Sequence, residues 1–267
     1  MDPSHSSDQA PKPVQDASAS ALFGGESQDR GFNELELFQK HSLSSIDNMA
    51  EPVCLTAEQL DAHKIIYPAS RDMATVDVFR DLRTRLLKLY RGDNKITLVC
   101  SVKPNGGASY IASNLAASFA FDESKTALLM DANIRNPSLH EQFYLQPEHG
   151  LTDFLREQVV GIDSIIYATG VPRLRLIPAG TQSNAAAEFF SSLRMQAMLE
   201  VLKYRYKDRY LIIDAPAINA APDTKILASL VDAVLLVVPY GTVTESQLSR
   251  AVEAIGEDKL AGVIINN

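Results

Sequence analysis

The sequence predicts an α/β fold, a doubly wound and mostly parallel sheet flanked by helices. Three observations carry this reading. Near-continuous apolar strands recur at Ile96–Cys100, Thr126–Asp131, Tyr210–Asp214 and Ala233–Pro239. Helical patterns separate them, so strands that are apolar on both faces need cover on both sides, as in a parallel sheet. The first of these strands runs into a glycine turn, Gly106–Gly107, and then into a helix from Ser109.

The chain has 267 residues, 46% of them apolar, which suits one large α/β domain plus a tail. Residues 1–60 read as a disordered, low-complexity tail and linker, and 70–267 as the folded domain. Met1–Gly31 is rich in Ser, Pro, Asp, Gln and Ala. Phe32–Glu51 carries only scattered apolar residues, which fit either a linker or a short docking helix. In Val76–Tyr90 the residues Val76, Phe79, Leu82, Leu86 and Leu89 repeat at helical spacing, with Asp72 upstream as a cap. Beyond the first strand come a helix at Ser109–Phe121, short helices at Leu151–Glu157 and Ile162–Tyr167, and a strand at Leu174–Pro178. A long helix is expected over Ala185–Tyr204, further helices at Asp223–Leu230 and Val243–Ile255, and a last strand at Gly262–Asn266.

The net charge is −8 and the pI about 5.2. That argues against nucleic acid or an anionic membrane as a generic partner, since both are bound by basic surfaces. Two cysteines, Cys54 and Cys100, lie far apart and fit a reducing cytosol better than a disulfide. No apolar run approaches the ~20 residues that span a bilayer, and no signal pattern opens the chain, so direct membrane insertion is not expected.

A strand, a glycine turn and a helix N-terminus form a geometry that holds phosphate, because the first helical turn offers unpaired N–H groups. The general pattern G-x-x-x-x-G-K-[ST] is met here only at Gly107 and Ser109; Val102 and Ala108 stand at its other fixed positions. Asp131 and Asp214 end two later strands. In such sheets ligands bind at the carboxyl ends of the strands, which puts the glycine turn and both carboxylates on one rim. A carboxylate there can hold Mg²⁺ beside a hydroxyl such as that of Ser109, or it can merely cap the following turn.

From about Asp72 onward the chain resembles the cytoplasmic domain of bacterial tyrosine kinases of capsule and exopolysaccharide systems, a branch of the deviant P-loop ATPases. VDVFRDLRTRLL resembles the helix that mediates ring assembly, with Asp77, Arg80 and Arg83 on the acidic and arginine positions. LLMDANIRNPSLH resembles the second Walker motif, IPAGTQSNAAAEFF the segment after the next strand, and YLIIDAPAINAAPDT the Walker B motif with Asp214 and Asp223. GVIINN resembles the strand whose final Asn, here Asn266, contacts adenine. The resemblance implies a P-loop NTPase-like fold that binds ATP or ADP with Mg²⁺. Gly106, Gly107, Ala108, Ser109, Tyr110 and Asn266 would form the nucleotide site. Ser109, Asp131 and Asp214 would serve the metal, with Asp131 and Asp214 in catalysis. It also implies a homo-oligomer in the cytoplasm, peripheral to the inner membrane through a membrane-embedded polysaccharide chain-length or copolymerase protein.

The departures are as specific as the matches. Ala108 replaces the phosphate-loop lysine, Asn133 the second carboxylate of its motif, and Tyr110 a small residue near the adenosine side. One charge-assisted hydrogen bond contributes roughly 1.5–3 kcal/mol, so losing it weakens binding about tenfold to a hundredfold. Lys103, five residues before Ala108, sits where the partition-ATPase branch carries a second lysine, and it is a candidate to supply the missing charge. The family's tyrosine-rich tail is not found up to Asn267, while Tyr204, Tyr206 and Tyr210 fall inside predicted structure. The expected function is therefore a kinase-like regulator of polysaccharide assembly with impaired catalysis. The alternatives are an active tyrosine autokinase using Lys103 or the loop backbone, and a partition-type ATPase, which the acidic charge disfavours.

Overall fold

The structure, a computed structural model, describes residues 54–159, 161–205 and 209–267. The tail and most of the linker expected over residues 1–60 lie outside the described residues, as does Tyr206.

Among the described residues seven strands form one sheet in the order β3-β4-β2-β5-β1-β6-β7. They are β1 Ile96–Ser101, β2 Thr126–Asp131, β3 Tyr167–Ala168, β4 Leu174–Ile177, β5 Arg209–Asp214, β6 Ala233–Pro239 and β7 Leu260–Asn266. All pairings are parallel except β3 with β4. Residues expected in a helix up to Tyr167 instead end in a short 3-10 turn, Ile162–Ile165, and Tyr167 starts the antiparallel edge strand. Alternate residues of β1 enter two separate cores. Leu98 and Cys100 pack on one face with Met130, Ile213 and Leu236. Val99 packs on the other with Leu129, Ile212 and Leu235. This period of two with both faces buried is why the strands read as continuous apolar runs. The two edge strands are the exception: β3 is half-buried, and Val263 and Ile265 of β7 are exposed.

The helices are α1 Ala57–Ala62, α2 Met73–Tyr90, α3 Ala108–Phe119, α4 Leu139–Gln142, α5 Leu151–Leu155, α6 Ala186–Phe190, α7 Leu193–Arg205, α8 Pro222–Leu230 and α9 Glu245–Ile255. Helix α1, at the end of the expected linker, is closed by a capping box between Thr56 and Gln59. Asn114 of α3 holds the segment after it, accepting from the Ile66 N–H at 2.7 Å and donating to the Lys64 carbonyl at 2.9 Å. Asp72 caps α2 as expected, accepting from the Thr75 N–H at 3.1 Å. Leu89, expected inside, is exposed; Leu86 and Tyr90 take the inward positions four residues apart. The long helix expected over Ala185–Tyr204 is broken in two. The Ser192 hydroxyl donates to the Phe189 carbonyl at 2.7 Å and accepts from the Met195 N–H at 3.1 Å, ending α6 and capping α7. Cys54 and Cys100 are both free thiols, the second buried and pushed up to about 12, chiefly by loss of water.

Candidate functional site: the phosphate turn and its carboxylate rim

Central strand β1 lies between β5 and β6 and delivers the turn 102–107 to the N-terminus of α3. Gly107 has φ +89° and forms the N-cap. A side chain there would be strained, and its Cβ would stand 2.2 Å from Asn266 Nδ2. Gly106 cannot carry a Cβ either, because it would meet the Ser101 Cβ at 2.6 Å. Asn105 is also left-handed, with φ +58°. Helix α3 leaves the amides of its first turn, at Ala108, Ser109 and Tyr110, outside its own ladder, and its dipole adds positive potential there. They face a cleft of about 450 Å³ lined by the whole turn Pro104–Tyr110 and, opposite, by Asn133, Asn136, Ser138 and Ala215–Ala217.

The expected rim is present. Asp131 and Asp214 are register partners at the ends of β2 and β5, both fully buried. Their oxygens are engaged very differently. Asp131 accepts from the backbone N–H groups of Asn133 at 3.0 Å, Ser138 at 3.2 Å and Leu139 at 3.1 Å. It therefore folds the loop that carries Asn133 and Asn136 to the cleft. Asp214 lies beside the Ser109 hydroxyl, which favours its charged form, and its Oδ1 is buried without a partner. Burial pushes Asp131 up to about 6 against the pull of its three N–H bonds. Burial, then the neighbouring Asp131 charge, raises Asp214 well above the usual carboxylate range.

An orphaned carboxylate oxygen beside a Ser hydroxyl, facing a phosphate turn, fits a hard divalent cation that shares its remaining ligands with a phosphate and water. Among the described residues no three His, Cys, Asp or Glu side chains converge on a metal position. Ser109 and Asp214 are thus the protein donors that would hold such an ion, while both oxygens of Asp131 already accept backbone N–H bonds.

The other expected residues separate into those at the site and those outside it. Ala108 is 8% exposed and lines the cleft, so no side-chain cation reaches the phosphate position from there. Tyr110 also lines the cleft and packs edge-on against Phe79, with ring centroids 5.9 Å apart. The Lys103 ammonium donates to the Thr242 carbonyl at 3.2 Å. Asn266 donates from Nδ2 to the Gly106 carbonyl at 3.2 Å. On α2, away from the cleft, Arg80 pairs with Asp77 at 3.3 Å on the open surface, while Arg83 donates inward to the Ser118 carbonyl.

Arg135 is visible in the sequence only as part of a motif, with no role of its own. In the structure it donates to the buried Asp223 at 2.9 Å and ties the loop after β2 to the start of α8. The available signal is the placement of Asp223 nine residues beyond Asp214, at a Pro-initiated helix.

A mostly parallel sheet whose central strand feeds a left-handed glycine turn into a helix, with a carboxylate at the end of the neighbouring strand beside a hydroxyl of that helix, defines a P-loop NTPase-like domain. No family model matches this chain. It is 32% identical over 174 residues to the tyrosine-protein kinase YwqD of Bacillus subtilis, spanning 64% of this chain and 72% of that one. With the tyrosine-protein kinase CpsD of Streptococcus agalactiae it shares 31% over 195 residues, 72% of this chain and 83% of that one. The succinoglycan biosynthesis transport protein ExoP of Rhizobium meliloti is 29% identical over 213 residues, 76% of this chain but 26% of ExoP. Among solved structures, the kinase domain of the Escherichia coli tyrosine kinase ETK superposes with a TM-score of 0.68 at 25% identity, covering 80% of this chain and 88% of that one. The chain belongs to the bacterial tyrosine-protein kinase family. A plasmid partition protein from Borrelia burgdorferi, at 20% identity and a TM-score of 0.52, shares the fold alone.

Proposed function

We propose that this chain is a tyrosine-kinase-like P-loop protein that regulates exopolysaccharide or capsular polysaccharide biosynthesis or export, with impaired phosphoryl transfer. The observation that carries the proposal is Ala108, a buried methyl group at the first position of α3 where the family places a lysine. In phosphoryl transfer charge develops on the transferred oxygens, and catalysis is mostly positioning plus electrostatic stabilisation. Here the backbone cradle, Ser109 and Asp214 keep the positioning, while the side-chain cation is gone. Asn133 further removes a second carboxylate from the cleft.

In this reading ATP or ADP binds weakly, with Mg²⁺ held by Ser109 and Asp214 when present, and Asp131 shapes the loop opposite. A cation held there would supply charge neutralisation; the α3 amides orient the phosphates, and the neighbouring apolar residues Ala215 and Ala217 limit water on the far side. Output passes through conformation and assembly instead of turnover. The Asp77–Arg80 face of α2 serves contact with further copies. No helix among the described residues is long and apolar enough to cross a membrane. The proposed location is accordingly cytoplasmic and peripheral, against a membrane-embedded chain-length or copolymerase partner. The polysaccharide role is supported by the likeness to ExoP.

The alternative of an active autokinase draws on the intact Ser109–Asp214 pair. The experiment is transfer of labelled phosphate, with Mg²⁺, from ATP to the purified chain and to an added tyrosine copolymer. The proposal expects transfer at background for the wild-type chain and a gain with Ala108→Lys. Robust transfer by the wild type overturns the impairment and establishes the autokinase.

A further inference from the structure

The lysine-free turn is tethered at two points to one edge of the sheet. Asn266, the last residue of β7, donates to the Gly106 carbonyl at 3.2 Å. Its own carbonyl accepts from the Tyr240 N–H at 2.7 Å, which fixes Asn266 beside the end of β6. Gly107, at φ +89°, leaves room for this contact: a Cβ there would stand 2.2 Å from the Asn266 amide nitrogen. On the other side of the turn, the Lys103 ammonium donates to the Thr242 carbonyl, just after β6, at 3.2 Å. Within the turn the Ser101 hydroxyl donates to the Lys103 carbonyl at 2.8 Å. Both long-range tethers therefore come from the β6–β7 edge, and neither donor points its polar group into the cleft.

We propose that Asn266 is a positioning residue that holds the phosphate turn in its anion-receptive shape through the Gly106 carbonyl, with Lys103–Thr242 as a second tether. A turn that contains left-handed Asn105 and Gly107 has many competing conformations once released. Its amides can act together on a phosphate only while they are held convergent. With no side-chain cation at position 108, the convergence of these amides governs anion affinity. The outer strand β7, partly exposed along Val263 and Ile265, is then the element whose displacement loosens the site. This role differs from a contact with the adenine base, which would leave the turn unaffected.

The inference rests on the reading of the cleft as a phosphate site, and its test separates the two. Calorimetry with Mg·ATP and with Mg·tripolyphosphate, which has no base, compares wild type, Asn266→Ala and Lys103→Met. The expected result for Asn266→Ala is a loss of about three- to tenfold, equal for both ligands. Lys103→Met, which breaks the more exposed tether, gives a smaller loss, again equal for both. A loss confined to ATP makes Asn266 a base contact and overturns the proposal, as does unchanged affinity for both. A larger loss in Lys103→Met than in Asn266→Ala overturns the tether ranking and makes Lys103 a phosphate ligand. If the wild type binds neither ligand, the phosphate reading fails by itself. Amide exchange over residues 105–109 then decides the positioning role: faster exchange in Asn266→Ala supports it, and unchanged exchange overturns it. If Asn266→Ala does not fold, the exchange comparison is made with Lys103→Met, with the same two outcomes.

Discussion

Asp131 and Asp214 stand side by side at the ends of β2 and β5, equally buried, yet one is satisfied and the other is not. Three backbone N–H groups close on Asp131, while Asp214 has the Ser109 hydroxyl beside it and an Oδ1 with no partner. In sequence the two look alike, each an aspartate after an apolar run. The difference arises in the segment just beyond each strand. After β2 the chain turns back over the strand end, and Asn133, Ser138 and Leu139 aim their amides at the carboxylate. After β5 the chain runs on as Ala215-Pro216-Ala217, whose proline supplies no N–H, and Asp214 is left beside Ser109 with one oxygen unpartnered. A rim carboxylate can thus be a loop-folding device or a ligand-facing group, and only its hydrogen-bond partners separate the two.

Three substitutions sharpen this contrast, from the largest effect down, and a pH dependence joins them. Asp131→Ala leaves three buried donors without an acceptor and lowers unfolding free energy by about 4 kcal/mol, measured by urea denaturation. Arg135→Ala strips the buried Asp223 of its cation; with Arg135 itself 40% exposed, the loss is about 2 kcal/mol in the same assay. Asp214→Asn removes a buried charge beside another and changes stability in the opposite direction, a gain of about 1 kcal/mol. A loss as large as that of Asp131→Ala would erase the distinction between the two carboxylates.

The fourth expectation is a pH dependence. Both carboxylates are raised in the folded protein above the ordinary value of 3.8, Asp131 to about 6. The folded state thus binds protons more tightly than the unfolded chain. The pair's contribution is fully favourable below the unfolded value and is lost as pH rises through about 6 and beyond. Metal-free protein should therefore lose stability from this pair as pH rises from about 4 through about 6 and beyond, and Asp214→Asn should flatten that slope. Urea midpoints across the range measure it.

Much of the architecture is legible in the sequence because its signals are local or periodic. The β6 boundaries Ala233–Pro239 come directly from a run of apolar residues, and the Asp72 cap of α2 from its spacing to Val76. The break between α6 and α7 is harder to see, because Ser191-Ser192 ahead of Leu193 is a capping signal set inside a helix-favouring stretch. Leu89 is wrongly expected inside because a spacing of three or four residues from Leu86 fits either Leu89 or Tyr90. Tyr90 is the one that finds a buried partner, the Thr97 hydroxyl. At the site, the glycine turn and both aspartates are visible in the sequence. The bond from Asn266 to Gly106 is not, since its partners are separated by 160 residues and meet only when β7 pairs with β6.

The central claim is that the frame of the phosphate site is intact and that the missing cation at position 108 limits it. Calorimetric titration of Mg·ATP into the wild-type chain and Ala108→Lys tests this most directly. A gain of about tenfold to a hundredfold in the variant is predicted, the equivalent of one charge-assisted hydrogen bond. Equal affinity in the two proteins would contradict it.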